Sequence, residues 1–280
     1  MEWKKRSLIV LFLLSAGFSC DLLESDSGGG DPDIAEGLKA ALRVGTDTAV
    51  SRLAAVDGYL KDEAVKILLP DEMEAQIANF KAINVNVFGL ASFTGEEIYN
   101  AGIPALGIVG LAGLEDQLIT GINRAAESAA TEAGPIFFDA ITSITIADAN
   151  SILFGEDDAA TVFLRDNTFD DLFDTYEPKI DNAVNQVTIG DASVESLYNN
   201  FVNEYNNVLN TSIPVSLLSS ETLGSIADLD VLSEPDLSAF ATTKGLDGLF
   251  LKIEEEEGNI RQDPLARVTE ILKDVFGLLD

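Results

Sequence analysis

Histidine is absent from this chain of 280 residues, and cysteine occurs once, at Cys20. The first absence removes Ser-His-Asp and Cys-His nucleophile systems, His-ligated zinc and His-ligated haem. The second excludes an intrachain disulfide. Basic residues are scarce: 17 Lys+Arg stand against 48 Asp+Glu, a formal net charge of −31. No run of basic residues occurs beyond the extreme N-terminus, so a phosphate backbone is repelled and no nucleic-acid partner is expected. Anionic lipid headgroups are disfavoured on the same ground. Signature spacings are missing too. There is no Gly-x-x-x-x-Gly-Lys or Gly-x-Gly-x-x-Gly phosphate loop, no Ser-x-x-Lys dyad and no EF-hand spacing. Carboxylate chemistry remains, as paired acids or as hard cations on oxygen ligands. With this many acids some pairing is accidental, so a pair alone points nowhere. No metal site and no cofactor is expected.

The first residues read as a targeting segment. Lys4, Lys5 and Arg6 form a basic start, and Leu8 to Leu14 a short apolar core, too short for a permanent membrane span. Small residues then lead to Cys20, in a pattern that resembles the bacterial lipobox, with Phe18 looser than the usual form. The expectation is a signal peptide over 1–19, lipidation of Cys20, and a flexible acidic linker over 20–33 containing Ser25, Gly28, Gly29, Gly30 and Pro32. Loss of residues 1–19 removes three bases and one acid, leaving 14 bases, 47 acids and a formal charge of −33. Asp21 after the cysteine resembles an inner-membrane retention signal. The outer membrane is the favoured address and the inner membrane the alternative.

Helical periodicity covers most of residues 34–280. Ile34, Leu38, Ala41, Leu42, Ala49, Leu53 and Val56 share one stripe. Leu69-Pro70 ends a segment, and Asp71 caps a helix carrying Met73, Ile77 and Phe80. A stripe from Leu114 to Ala133 is interrupted by Pro135, and a further helix runs through Phe137 and Ile141. Thr145 with Asp148 predicts a capping pair for a short helix closed by Gly155; Thr168 with Asp171 predicts another helix start. Val194 to Leu209 is the strongest amphipathic pattern. Only residues 84–93 suggest strands, as a short hairpin. Ala101 to Gly113 is apolar, uncharged and glycine-rich, read as a buried connection, with a lid or contact patch as alternatives. The expected fold is all-α, a single compact multi-helix bundle over 34–280.

Several stretches, in order along the chain, resemble a bacterial lipoprotein family known as domain of unknown function 4197. They include Asp57-Gly-Tyr59, Lys66 to Pro70, Asn123-Arg-Ala-Ala-Glu127, Pro135 to Phe137 and Phe163-Leu-Arg165. Further matches are Lys244 to Phe250, Glu256-Glu257, Ile260-Arg261, Ala266-Arg267 and Val275 to Gly277. Residues 84–112 depart from the pattern and are longer. The resemblance implies a secreted, lipid-anchored, mostly helical domain. It implies no activity and carries over no catalytic residue.

Within Lys252 to Val268, four consecutive glutamates precede two arginines. At 100° per residue, Glu254 and Glu256 flank the apolar stripe of Leu246, Leu249, Phe250, Ile253 and Ile260, and Glu255 points to solvent. Glu257 falls within the stripe, four residues before Arg261, the order that favours an ion pair. The pair is a candidate for a buried structural bridge or a ligand site. Asp263-Pro264 is expected to stop this helix and start the next, whose apolar face holds Leu265, Val268, Ile271, Leu272, Val275 and Phe276. Glu115 lies on the apolar side of its helix; Arg124 and Glu127 point away from it, with Arg124 free to reach an acid elsewhere. With so few bases, Arg124, Arg165, Arg261 and Arg267 are candidate internal counter-charges or an anion site. The functional expectation is a lipid-anchored envelope protein acting as a binding or structural module. Its partners would be the membrane through Cys20 and an envelope protein or apolar ligand. The alternatives are a carboxylate- or Ca²⁺/Mg²⁺-dependent enzyme and a carrier of an apolar ligand.

Overall fold

Thr145 does what its spacing from Asp148 predicts. Its hydroxyl accepts the Asp148 N–H while the Asp148 carboxylate accepts the Thr145 N–H, and a helix starts at Ile146. Local signals of this kind build most of the molecule. The computed structural model describes residues 34–89, 91–233 and 236–279, so Cys20 and the whole expected targeting and linker region lie outside the described residues. Pro32–Asp280 is one compact unit.

The elements run as α1 (Ile34–Ala54), α2 (Asp71–Lys81), β1 (Asn84–Val87), β2 (Ala91–Thr94), α3 (Gly95–Ala101) and α4 (Ala112–Ala129). They continue as α5 (Ala133–Thr142), α6 (Ile146–Leu153), α7 (Ala159–Gln186), β3 (Thr188–Ile189), β4 (Ala192–Ser193) and α8 (Val194–Asn210). Last come β5 (Ser212–Pro214), β6 (Ser220–Thr222), α9 (Leu223–Ala227), α10 (Leu237–Gln262) and α11 (Glu270–Phe276). The fold is all-α in its body. α10 packs between α7 and α1, α4 packs on α7 and α8, and α5, α6 and α11 pack on α1. The strands form three separate antiparallel pairs. The hairpin at 84–93 is present, with Val85 opposite Phe93.

Several boundaries differ from the sequence expectation, each for a local reason. Pro70, not Asp71, is the N-cap of α2, with Asp71 in the first turn, where its charge faces the positive helix end. The break before Pro135 falls at a 3₁₀ turn, Ala130–Glu132, and Pro135 sits inside the first turn of α5, where its missing N–H costs nothing. Thr168 starts no helix; it lies within α7 and its hydroxyl donates to the Leu164 carbonyl. A mid-helix threonine satisfies itself this way, so the Thr-x-x-Asp spacing is not decisive. Asp263-Pro264 forms a turn rather than a helix start. Asp263 Oδ1 accepts the Leu265 N–H, and α11 begins only at Glu270, behind the Thr269 cap. Leu265 and Val268 therefore face solvent, 89% and 67% exposed, and only Leu272, Val275 and Phe276 of the predicted face are buried. α1 ends at Ala54 and leaves Val56 outside. The hairpins β3–β4 and β5–β6 were not foreseen.

The glycine-rich stretch is not buried as a whole: Ala101, Pro104, Ala105, Gly107, Val109 and Gly113 are exposed, and three apolar side chains anchor it. Ile103 and Ile108 pair across an isolated bridge and are buried, as is Leu111. Gly102 makes the bend: its φ is +70°, and an added Cβ would lie 2.3 Å from the Ile108 carbonyl oxygen.

Four tyrosines, Tyr59, Tyr99, Tyr176 and Tyr205, are fully buried. Burial pushes all four phenols above their ordinary value of 10, Tyr205 up to about 12. Their native-state stabilisation is complete below pH 10, where they are protonated in both states. It is lost as pH rises towards 12, because the unfolded chain ionises first. The melting midpoint should fall across that window, with the absorbance of four of the five tyrosinates rising only as the protein unfolds. More than one tyrosinate forming in the folded protein near pH 10 would contradict this assignment.

Candidate functional site

α7 begins without help from its own N-cap, since Asp158 makes no side-chain capping bond. The acceptor comes from α10. Glu257 Oε1 takes the Ala160 N–H at 2.9 Å, and Oε2 takes the Thr161 N–H and hydroxyl, each at 2.8 Å. A carboxylate here meets two orphan donors and the positive end of the helix dipole. Arg261 lies one turn on. Its Nε donates to Glu257 Oε1 at 2.9 Å, while Nη1 and Nη2 donate to the carbonyls of Leu153 and Ile152 at the end of α6. The pair thus staples the end of α6 to the start of α7 from the face of α10. Both side chains are buried. Arg267 completes the group: Nε donates to the Ile260 carbonyl and Nη2 to that of Arg261, closing the end of α10. Glu256 beside them pairs with Arg52 of α1, and Glu255 with Lys252.

A second staple sits on α4. Glu127 Oε1 accepts the N–H groups of Tyr59 and Leu60, each at 3.2 Å, and Oε2 accepts Arg124 at 2.6 Å. Glu127, expected to point away from the apolar stripe, is nonetheless buried. The helix buries two sides, one in the core and one under the 55–69 segment, and a single apolar stripe shows only the first. Arg124 does reach an acid outside its helix, Asp57, at 2.6 Å. Lys61 first, and then Arg124, hold the Asp57 carboxyl below its ordinary value. Asn123 was not singled out from sequence. It is fully buried, accepts the Ile67 N–H and donates to the Ile67 carbonyl, pairing with that backbone as a strand would. Tyr59 then enters the core, and its hydroxyl donates to the Gly245 carbonyl at 2.8 Å. Gly248 makes room for it, since a Cβ there would lie 2.9 Å from the ring.

The remaining candidates stand apart from both staples. Glu115 pairs with Lys81 at 3.5 Å, and the Lys81 ammonium lies over the Tyr99 ring. Arg165 pairs with Asp247 and covers Phe169 and Phe250. The arginines do not converge on one anion site. Among the described residues, no group of three Asp, Glu or Cys side chains is arranged to hold a metal.

Two spaces adjoin the staples. The apolar cavity against Glu257, lined by Leu38, Leu42, Ile253 and Phe276, measures about 10 Å³, room for one water. An open groove of about 310 Å³ runs between residues 64–74 and α10, with Lys66, Lys244, Glu74 and Asp247 on its walls. Burial, and then the neighbouring Asp71, raise the Glu74 carboxyl above its ordinary value. Among the described residues no single helix is long and apolar enough to cross a membrane. One bent pair, Ala112–Thr142 with Ile146–Leu153 at 107°, passes on length and composition.

A family model described as protein of unknown function (DUF4197) matches residues 29–88 and 101–277. The chain belongs to this family. Both staples lie inside the matched segments. The match passes over residues 89–100, within the stretch that departs from the family pattern, and these residues hold β2 and nearly all of α3. No curated protein and no solved structure matches the chain.

Proposed function

We propose that this member of the family is a lipid-anchored envelope protein, and that its helical domain is a binding or structural module rather than an enzyme. The observation that carries the anchor is the order basic start, short apolar core, small residues and a lone Cys20. The acidic Ser/Gly linker to residue 33 fits a tether between lipid and domain. The preference for a module over an enzyme rests on how the charged candidates are used. Glu257, Arg261, Arg267 and Glu127 each direct hydrogen bonds to backbone at helix or turn ends. Groups so engaged hold elements in place. The carboxylate-enzyme reading needs acids converging in a cleft, and the apolar-carrier reading needs a chamber larger than the one-water cavity beside Glu257.

Mass spectrometry of the N-terminal peptide tests the anchor. The expected peptide begins at Cys20 and carries diacylglycerol, and Cys20→Ala leaves the chain unprocessed and unacylated. A free Cys20 thiol on the mature protein would overturn the reading. Membrane fractionation then separates the favoured outer-membrane address from the inner-membrane one that Asp21 suggests.

A further inference from the structure

Charge is spread densely over this chain, yet three stretches carry none: residues 82–95, 98–114 and 205–220. They are the longest uncharged runs between residues 34 and 279, and the fold gathers them at one pole. The 82–95 run is the β1–β2 hairpin, which closes onto α3 through the Gly95 N–H and the Ile83 carbonyl. The 98–114 run follows from α3 and ties back to it where the Leu111 N–H meets the Tyr99 carbonyl. The 205–220 run ends in the β5–β6 hairpin. The two hairpins touch, the Phe88 N–H donating to the Pro214 carbonyl at 3.2 Å.

The tips of these hairpins are apolar and outward. Leu217 is 92% exposed and Leu218 99% exposed. They are not on a loose loop. The Val215 and Ser216 N–H groups both donate to the Ser219 carbonyl, the Ser216 and Ser219 hydroxyls meet at 2.6 Å, and Leu218 N–H donates to the Ser216 hydroxyl. Phe88, on the adjoining tip, is also exposed and holds φ +55°. A bulky aromatic in the left-handed region is strained, and an Asn or Gly would relieve it. Phe88 is 42% exposed and stands outside the buried core, so part of its ring is open to a contact beyond the domain.

We infer that Phe88, Leu217 and Leu218 form a membrane-contact tip that dips into the apolar edge of a lipid bilayer. The Cys20 anchor proposed above supplies the occupant, and charge selects the face that meets it. The acidic body is repelled by an anionic leaflet, and this pole, whose tips are uncharged and whose rim carries the exposed Glu96, Glu97 and Glu221, is the surface that approaches with least repulsion. Leucine and phenylalanine side chains gain by leaving water at that depth. The inference rests on the Cys20 anchor for its proximity. The 14 residues 20–33 extend to at most about 48 Å, against a domain of roughly 18 Å radius of gyration. Any face can therefore reach the surface, and a weak contact becomes an intramolecular one. The family match passes over residues 89–100, beside Phe88, so this pole is where the chain adds to the family pattern.

The test uses the lipidated full chain with Leu218→Cys or, as control on the acidic face of α10, Glu254→Cys. Each carries an environment-sensitive thiol probe, on vesicles of phosphatidylcholine with and without phosphatidylglycerol. The expected result is blue-shifted emission at position 218, quenched by nitroxides on the acyl chains, and water-like emission at 254. Phe88→Asp should reduce the quenching at 218. Water-like emission at 218 on vesicle-bound protein overturns the inference. So does a blue shift that grows with protein concentration without vesicles, which would assign the tip to a second copy. Probe attached to Cys20 in the unsubstituted chain counts against the anchor alone, and the 218 emission on vesicles, then read with Cys20→Ser so that one thiol carries the probe, still decides the tip.

Discussion

Glu257→Ala is expected to cost about 3–5 kcal/mol of folding stability, the scale of breaking one side of a buried ion pair. The cost has two sources. The Ala160 and Thr161 N–H groups and the Thr161 hydroxyl lose their acceptor at the start of α7. The Arg261 guanidinium is left buried beside the Ile152 and Leu153 carbonyls without its counter-charge. Arg261→Ala should cost a similar amount by the reverse logic, stranding the Glu257 charge and two carbonyls at the end of α6. The double mutant should cost less than the sum of the singles by about 1–3 kcal/mol, since each single mutant already removes the shared bond. Glu257→Gln keeps an acceptor for the helix but not the charge, so an intermediate loss is expected. Urea unfolding with unchanged m-values measures all four. Additive single mutants would show that the two side chains cap their helices independently, and the staple would then be a coincidence of position. Domain stabilities are commonly about 5–15 kcal/mol, so either single mutant removes a large share.

The position of Glu257 was legible from spacing alone, because 100° per residue places it in the apolar stripe and Arg261 one turn away. What it does there was not. Nothing near residue 158 says that α7 lacks its own cap, since Asp158 is by composition a good N-cap residue. The same limit hides Glu127. Its periodicity puts it off the main stripe of α4, and only the path of residues 55–69 buries it. Asn123 carried a signal that could have been used, a polar residue within the family-resembling Asn123-Arg-Ala-Ala-Glu127 run, next to the apolar Ile122. The α8 helix and the 84–93 hairpin were readable because each repeats its own period over its whole length. Leu265 and Val268 misled for the opposite reason. Two apolar residues three apart match a helical face, but Asp263-Pro264 closes a turn beneath them and leaves both outside.

The second large effect is expected at Asn123. Asn123→Ala should cost about 2–4 kcal/mol, because the Ile67 N–H and carbonyl both lose their partner where water does not reach, each orphaned group costing about 1–3 kcal/mol. The loss should be local before it is global. Ile67 is held to α4 by Asn123, and Tyr59 and Leu60 are held by Glu127 on the next turn of the same helix. Releasing the first tie leaves the 55–69 segment held by Glu127, by the Asp57–Arg124 and Asp62–Lys252 pairs, by the buried Val65 and Leu69, and by Tyr59, whose ring is seated on Gly248 and whose hydroxyl reaches Gly245. Amide exchange of Ile67 and its neighbours should accelerate well beyond the change in the α7 and α10 core, because segments open separately when their own ties are cut. Glu127→Ala should be milder, as the half-exposed Arg124 keeps Asp57 and can hydrate. The two substitutions together should release residues 55–69 while α4 still packs on α7 and α8 through Leu118, Ile122 and Ala126. One wall of the groove along α10 would go with the segment. Uniform exchange across the whole domain in Asn123→Ala would mean that the segment and core unfold as one unit, and the latch would have no separate existence.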